Sequence, residues 1–419
     1  MKTLFSLLVL MTAASAASAQ AVTVRSVSRD AETDEIVVTY DLAEDAVVTM
    51  SVTADGVAVP EGRVTRLAGA VNRKVAAGTG LEIRWNATKE TPELKSANAA
   101  VKLTAWPLDN PPDYMVADLQ LANTVRYYTS TNALPGGLAN PRYRTSAILM
   151  RKIPAKKVTW LMGSAADDKT LDGQTVLHAN NETQYWVTFS DNYYIGVYEL
   201  TQTQAKLMGF TQTTSVNFVI SSNQVAKAGY DSTAEFPVSC NLDQMRGTAT
   251  APICDVVSTS PIGTLCSLTG VGFDVPTDAQ WEYACRAGQS VQVYNGINIQ
   301  LKTSCTNLNR LAWYGATTKK LCCAPVGLKE PNAWGLYDML GNMLEWTRDC
   351  YAANPYAADS TQTDPVGTGT DKVKRCVRGG NWDNNANNVR AAVRTSYTAS
   401  TNQHKNYTGL RLYCPAVAK

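Results

Sequence analysis

Two carboxylates, Asp338 and Glu345, flank a predicted turn at Gly341-Asn342 within the segment 331–349. The segment reads Pro-Asn-Ala-Trp-Gly-Leu-Tyr-Asp-Met-Leu-Gly-Asn-Met-Leu-Glu-Trp-Thr-Arg-Asp. Neither helical nor strand periodicity fits it throughout, which predicts a structured loop that ends in a strand. Because the turn lies between the carboxylates, we expect them to converge on one point. Paired carboxylates in a tight loop suit a hard cation such as calcium.

Several other site chemistries lack the residues they need. The chain has only two histidines, His178 and His404, at unrelated places. They cannot build a three-histidine iron site, and neither lies in a nucleophile-elbow context such as G-x-S-x-G. No glycine-rich phosphate loop occurs. The net charge is +2 with no basic block, which argues against nucleic acid as a main partner.

The N-terminus has the pattern of a signal peptide, residues 1–19. Lys2 precedes an apolar run over 4–11, and Ala17-Ser18-Ala19 forms an A-x-A cleavage site. The apolar run is too short to span a bilayer, so no transmembrane segment is expected after cleavage. The alternative is a buried N-terminal helix. The pattern predicts an exported protein that is periplasmic, at the cell surface or secreted.

The ten cysteines all lie between Cys240 and Cys414, without a C-x-x-C pair. Because the chain lacks a C-x-x-C pair and has only two histidines, the sequence argues against a structural zinc site. An even number in an exported domain predicts disulfides, whose connectivity the sequence leaves open. For the adjacent pair Cys322-Cys323, we expect each sulfur to bond elsewhere, with a vicinal disulfide as the other possibility.

Residues 20–107 predict a small Ig-like β-sandwich that acts as a spacer or docking module. Short apolar-polar alternation recurs without a convincing helical stretch, and Asp55-Gly56 is a hairpin signal. The predicted strands include 36–42, 47–53, 81–85 and 101–106. Residues 108–147 predict a linker, rich in proline at its start, followed by leading strands.

The sequence pattern over residues 148–419 predicts a loop-rich domain with at least two helices. One begins near Thr201 and ends at Gly209. The other begins with a capping-box pattern, Thr277-x-x-Gln280, and stops at Gly288. Its buried face is predicted to carry Trp281, Ala284 and Cys285.

A set of ordered segments resembles the formylglycine-generating, sulfatase-modifying-factor family over about residues 148–414. Besides 331–349, the segments are Trp160-Leu-Met-Gly-Ser164, Tyr194-Ile-Gly-Val-Tyr-Glu-Leu-Thr-Gln202, Val275-Pro-Thr-Asp-Ala-Gln-Trp-Glu-Tyr-Ala-Cys285, Val377-Arg-Gly-Gly-Asn-Trp382 and Gly409-Leu-Arg-Leu412. The resemblance implies a C-type-lectin-like domain. The predicted fold class is therefore α+β, with an N-terminal β-sandwich followed by a formylglycine-generating-enzyme-type domain.

The same resemblance assigns a structural calcium site to the loop. It implies side-chain ligands from Asp338 and Glu345 and backbone carbonyl ligands from Gly341 and Met343. In the alternative, the carboxylates accept hydrogen bonds from loop amides and pair with Arg348 or Arg378.

The catalytic centre is where the chain departs from the family it resembles. Aerobic members hold copper with two cysteines shortly after a Gly-Gly-Ser motif. The matching segment here, 379–390, has no cysteine, and the positions fall at Asn384 and near Asn387. A carboxamide is not a soft anionic ligand for Cu(I), so copper is not expected. For Cys350 and Cys376 we predict a disulfide between neighbouring strands, in preference to a relocated copper site.

The loop region 381–407 is a candidate ligand-binding surface. The region is rich in Asn, Asp, Ser, Thr and Tyr, and such side chains combine rigid aromatic area with adaptable hydrogen bonding. The region also resembles the variable region of proteins diversified by retroelements, and the alternative is an ordinary solvated loop. The candidate ligand-binding residues are Asn381, Asp383, Asn384, Asn385, Asn387, Asn388, Tyr397, Asn402, His404, Asn406 and Tyr407.

Neighbouring tryptophans and arginines have structural interpretations. We predict Trp346 and Trp382 in the core, although such residues could form a sugar-stacking platform. Four arginines are expected to tie down loops by pairing with Asp or Glu rather than to bind an anion: Arg378, Arg390, Arg394 and Arg411.

The sequence thus favours an exported, non-catalytic module that binds an extracytoplasmic protein or glycan. The first alternative, implied by the resemblance, is an oxidase that generates formylglycine from cysteine in sulfatases. The second is a ligand-binding protein diversified by a retroelement.

Overall fold

The computed structural model describes residues 22–417 except 93–95, 97, 123, 174, 178, 212–233, 248–254, 295, 297, 320, 370, 372 and 401–405. The predicted signal peptide and the candidate residues His178, Asn402 and His404 lie outside the described residues. The chain forms two compact units. The first unit comprises 1–116, 124–143 and 416–419, and the second comprises 117–123 and 144–415. The predicted domain boundaries stay predictions.

The described residues contain eight α-helices and twenty β-strands. The helices are α1 (Ala87–Glu90), α2 (Arg142–Thr145), α3 (Gln202–Leu207), α4 (Leu242–Arg246), α5 (Pro261–Thr269), α6 (Asp278–Arg286), α7 (Leu308–Leu311) and α8 (Gly315–Thr318). The strands are β1 (Val22–Arg29), β2 (Ile36–Leu42), β3 (Ala46–Ala54), β4 (Val57–Ala58), β5 (Leu67–Gly69), β6 (Lys74–Val75), β7 (Gly78–Trp85), β8 (Ala99–Trp106), β9 (Tyr114–Asp118), β10 (Val125–Tyr128), β11 (Ala147–Ile153), β12 (Thr159–Met162), β13 (Tyr185–Thr188), β14 (Tyr193–Gly196), β15 (Leu344–Cys350), β16 (Thr361–Thr363), β17 (Lys374–Arg378), β18 (Arg394–Thr398), β19 (Thr408–Gly409) and β20 (Tyr413–Pro415).

The first unit is built from two antiparallel sheets. One has the order β1-β2-β7-β5; in the other, β3 pairs with β4, β6 and β8. Alternate residues of β2 are buried, among them Val38 and Tyr40. The Tyr40 hydroxyl donates to Ala70 O at 2.5 Å. Side chains from both sheets share one hydrophobic cluster, which explains why period-two patterning identified these strands.

The predicted strands and hairpin of the first unit are confirmed. Strand β2 matches its predicted bounds, and β3, β7 and β8 contain or overlap the other three predicted segments. Asp55 and Gly56 have φ values of 49° and 80°, which places both in the left-handed region that a two-residue hairpin requires.

The second unit mixes helices with small sheets. Strands β11, β14 and β20 pair antiparallel in that order. A second sheet has the order β12-β13-β16, and a third has the order β18-β17-β15-β19. The strand-rich mixture of α and β confirms the predicted fold class at this coarse level. Among the described residues, no helix has the length and apolarity needed to cross a membrane.

Both predicted helices of the second unit are confirmed as α3 and α6. Each has a capping box, from Thr201 and Gln204 in α3 and from Thr277 and Gln280 in α6. In α6, Gln280 N donates to Thr277 Oγ1 at 3.2 Å, while Thr277 N donates to Gln280 Oε1 at 2.9 Å. These bonds satisfy amides that the first helical turn leaves without partners. The predicted core face of α6 is buried within a large hydrophobic cluster of the second unit.

Candidate functional site

The loop before β15 turns sharply where the sequence predicted it. Gly341 and Asn342 have φ values of 78° and 55°. A Cβ atom at position 341 would lie 2.1 Å from Trp313 O, so only glycine fits there. Gly341 N donates to Gly379 O at 2.8 Å. The turn therefore packs the acidic loop directly against the segment that follows β17.

Glu345 is held by a cation and an indole. Its carboxylate pairs with Arg411, whose Nη2 lies 2.8 Å from Oε1. The Trp281 Nε1 donates to Oε2 at 2.6 Å. Arg411 Nε lies 3.1 Å from each of the two carboxylate oxygens. Because both oxygens have partners, Glu345 serves in this arrangement as a buried counter-charge that joins α6, β15 and the 409–412 segment.

Asp338 and Glu199 are a second and third buried carboxylate beside Glu345. Asp338 Oδ2 accepts from Gly327 N at 2.6 Å, while its buried Oδ1 has no hydrogen-bond partner. Burial raises the pKa of Asp338 to about 6. Glu199 accepts from Asn342 Nδ2 at 2.6 Å and from Met343 N at 2.9 Å. Burial, with Asp338 and Glu345 nearby, holds the pKa of Glu199 well above its ordinary value.

The four predicted calcium ligands do not form a ready coordination set in this geometry. Of the two carboxylates, only Asp338 has an oxygen without a partner, and Glu345 is paired with Arg411. Calcium takes six to eight oxygens. Among the described residues, no group of three or more His, Cys, Asp or Glu side chains is placed to hold a metal ion. Calcium at Asp338, Gly341, Met343 and Glu345 therefore stays a prediction that requires rearrangement of Glu345.

Buried ion pairs confirm the structural interpretation of the four arginines. Arg390 Nη2 lies 2.8 Å from Glu182 Oε1, and Arg411 pairs with Glu345. Arg378 and Arg394 share Asp278, each with Nε at 2.8 Å from one of its oxygens. Arg378 also pairs with Glu282. Glu282 in turn accepts from Arg286 Nε at 2.8 Å and from Gly163 N at 3.0 Å.

Trp382 is fixed in the candidate binding loop on several sides. Its backbone N donates to Asn342 O at 2.9 Å, and its Nε1 donates to Asn406 O at 2.7 Å. The Tyr407 ring stacks on it, with centroids 5.3 Å apart and an interplanar angle of 27°. Trp382 and Trp346 are both buried, which confirms their predicted core positions.

The two asparagines that the sequence comparison singled out, Asn384 and Asn387, take part in local hydrogen bonds. Asn384 Oδ1 accepts from Asn381 N at 3.1 Å, and Asn381 Oδ1 accepts from Asp383 N at 2.9 Å. Asn387 Nδ2 donates to Asn388 Oδ1 at 3.1 Å, while Asn387 Oδ1 is buried without a hydrogen-bond partner. Residues 381–388 are thus linked to one another by hydrogen bonds of their own side-chain amides.

The other candidate ligand-binding residues are partly accessible. Asn388 is exposed and Asn381 is buried. The half-buried members are Asp383, Asn384, Asn385, Asn387, Tyr397, Asn406 and Tyr407. The structure brings Trp382, Asn406 and Tyr407 into direct contact. The prediction of a loop throughout 381–407 is wrong, because Arg394–Thr398 form β18, which pairs with β17. Tyr397 lies in this strand and packs edge-on against Trp346 with centroids 6.5 Å apart.

The predicted disulfide between Cys350 and Cys376 is wrong, because Cys376 is a free thiol. Strand β15 has a register shift between Trp346 and Cys350, after which Cys350 lies opposite Arg375 rather than Cys376. Arg375 Nη1 donates to Cys350 Sγ at 3.2 Å. Burial, with the nearby Asp278 carboxylate, raises the pKa of the Cys376 thiol.

The vicinal cysteines lie beside the candidate binding loop. Cys322 and Cys323 share a buried cluster with Phe236, Met343 and Trp382. Cys323 is a free thiol, so no vicinal disulfide forms. Asn342 ties the next residue, Ala324, to the acidic loop by accepting from its N at 2.9 Å and donating to its O at 3.2 Å. Burial raises the pKa of the Cys322 thiol and, more strongly, that of Cys323.

Three residues of this region were missing from the sequence-based site: Glu199, Glu282 and Asn342. Each lies inside a segment that carries the family resemblance, but no local spacing links Glu199 to the acidic loop 143 positions away. The sequence alone does not show that such a carboxylate belongs to the site, because its partners are distant along the chain.

The model of the sulfatase-modifying factor enzyme 1-like domain matches residues 154–414. The chain therefore belongs to this family. A formylglycine-generating enzyme of Streptomyces coelicolor is 34% identical over 137 residues, which are 30% of this chain and 42% of that protein. The inactive C-alpha-formylglycine-generating enzyme 2 of Bos taurus is 30% identical over 151 residues, which are 33% of this chain and 43% of that protein.

The chain thus spans less than half the length of these two relatives. Among solved structures, Treponema denticola variable protein 1 is similar with a TM-score of 0.47 and 22% identity. That alignment covers 64% of this chain and 95% of the other.

Proposed function

We propose that this protein is an exported, non-catalytic binding module of the sulfatase-modifying-factor family. It presents the surface of segment 381–407, which includes strand β18, to a protein or glycan outside the cytoplasm. In this proposal the first unit is an Ig-like β-sandwich that acts as a spacer or docking module. The second unit is a C-type-lectin-like domain, which supplies a stable framework for the loop.

The observation that carries the proposal is the pre-organised amide loop around Trp382. Asn384 and Asn387 stand where the resemblance implies copper-binding cysteines, and their carboxamides are hydrogen-bonded within the loop. Preformed loops bind with a smaller loss of conformational entropy than mobile ones. A bovine relative named as inactive supports the idea that family members can do without catalysis.

The binding test uses the full chain and a double variant, Asn384→Ala with Asn387→Ala. Both are screened on arrays of purified glycans and purified extracellular proteins. We expect wild-type binding to at least one array component and a loss of tenfold or more in the double variant. The control is Asn98→Ala, an exposed position in the first unit. Binding that survives the double substitution, or no binding on either array, contradicts the proposal.

The second candidate function is a formylglycine-generating oxidase, which the placement of Cys322 and Cys323 favours. Their shared cluster with Trp382 puts two sulfurs near the loop that lacks the family's cysteines. Against it, burial raises the pKa of both thiols, whereas thiolates are the better copper ligands.

The test of this candidate is incubation with copper, oxygen and a Cys-x-Pro-x-Arg peptide. Mass spectrometry then follows the peptide thiol. On the binding proposal we expect the thiol to persist at the rate seen without protein. Protein-dependent formation of an aldehyde, lost in a Cys322→Ser and Cys323→Ser double variant, would instead establish the oxidase.

A further inference from the structure

Two arginines of the first unit lie close together, away from the candidate binding loop in sequence. Tyr127 N donates to Asn72 O at 2.7 Å, which joins the residue after Arg126 to the residue before Arg73. Asn72 N is itself anchored to the sheet by a 2.7 Å bond to Val48 O. Arg126 is half-buried and Arg73 is exposed. The backbone therefore places two cationic residues on neighbouring segments of the first unit.

Within the described residues, neither guanidinium forms an ion pair with a carboxylate. Arg126 Nη1 donates only to the neighbouring Val125 O, at 3.2 Å. Burial, together with the nearby Arg73, lowers the pKa of Arg126. By contrast, the buried arginines Arg378 and Arg390 each have carboxylate partners. A half-buried cation next to a second positive charge is costly, and a bound anion would reduce that cost.

The neighbours of both arginines also line a cavity of about 180 Å³. Asn72 precedes Arg73, and Tyr128 follows Arg126 by two positions on β10, on the same side of the strand. Burial raises the pKa of Tyr128, so its hydroxyl remains a hydrogen-bond donor. The wall further includes Thr49 and Trp106, whose Nε1 donates to Thr49 Oγ1 at 2.9 Å. The carboxylate of Glu61 also lines the cavity, where its Oε1 accepts from Thr129 Oγ1 at 2.8 Å.

We propose that Arg73 and Arg126 form a binding site for a tetrahedral oxyanion, sulfate or phosphate. The anion binds either as the free ion or as the ester of a small polar group that enters the adjoining cavity. Guanidinium groups suit such anions because their planar N–H donors match pairs of oxygens. This site goes beyond the proposed function of segment 381–407 and does not depend on it.

The test compares thermal unfolding of the full chain in chloride, sulfate and phosphate at matched ionic strength. We expect sulfate or phosphate at ten times its dissociation constant to raise the wild-type Tm by roughly 3 °C relative to chloride. Arg126→Met and Arg73→Met should each abolish this gain. In chloride, Arg126→Met should be at least as stable as wild type, because it removes repulsion while keeping an apolar stem.

Arg66→Met, at an exposed position of the same unit, is the matched control and should retain the anion-dependent gain. Glucose 6-phosphate tests the ester: a larger gain than with phosphate assigns the cavity to the organic group, and an equal gain assigns the site to the free ion. An equal gain in wild type and Arg126→Met, or no wild-type gain over chloride, overturns the proposal.

Discussion

Replacing Arg378 by methionine is expected to lower the free energy of unfolding by about 3–5 kcal/mol. Arg378 is fully buried and pairs with both Glu282 and Asp278. Methionine removes the charge and its donors but keeps an apolar stem. Glu282 and Asp278 would then have fewer cations than their buried charges require, although Arg286 and Arg394 remain. Urea unfolding followed by tryptophan fluorescence measures the loss.

The matched control for this prediction is Arg310→Met. Arg310 also pairs with a carboxylate, with Nη2 2.8 Å from Glu330 Oε1, but both side chains are more than half exposed. Solvent screens such a pair, so its loss should cost less than about 1 kcal/mol. Similar losses from the two substitutions would mean that the buried network around Arg378 has no special role in stability.

Elements with strong local signals were predictable from the sequence. Strand β2 alternates buried and half-buried residues along its whole length, so period-two patterning identified its bounds. Helix α6 carries its own start signal in Thr277 and Gln280. Helix α5 was missed although Ser260 caps it, Pro261 begins it and Gly270 ends it in the left-handed conformation. That helix could have been found by the same rules.

The sequence did not predict which residues, far apart in the chain, would pair with each other. Pairing of the four arginines with carboxylates was predicted as a type of contact, but their individual partners were not. The alternative to the calcium site paired Glu345 with Arg348 or Arg378, whereas Arg411 binds it. The Cys350–Cys376 prediction failed because Cys350 lies opposite Arg375 in the antiparallel pairing, which also contains a register shift that the sequence did not predict. Such shifts depend on tertiary packing, which local periodicity does not encode.

The second large effect is expected at Asp338, where asparagine should stabilise the protein by about 2–3 kcal/mol at pH 8. Asp338 is buried, and its φ of 55° suits asparagine well. The substitution keeps an oxygen that can accept from Gly327 N and removes the buried charge. Burial is the main cause of the raised pKa of about 6, and Glu345 adds to it.

The pH dependence follows from the direction of this shift. Between pH values of about 4 and 6 the folded state holds a proton on Asp338 that the unfolded state has released. Wild-type stability should therefore fall as pH rises through this window, and the advantage of Asp338→Asn should grow from near zero at pH 4 to its full value above pH 7. Urea unfolding of both proteins across this range measures the difference. Asp167→Asn, at an exposed position, should show no comparable trend.

If calcium binds at Asp338, the expected effect of Asp338→Asn on stability is reversed. A bound cation would compensate the Asp338 carboxylate and draw Glu345 away from Arg411, so wild type would gain stability with added calcium and Asp338→Asn would not. Repeating the pH 8 measurement with calcium chloride and with a chelator separates the two cases. A variant that is less stable than wild type in chelator would show that the carboxylate is stabilised by the protein itself, contrary to the buried, partner-poor geometry of its Oδ1.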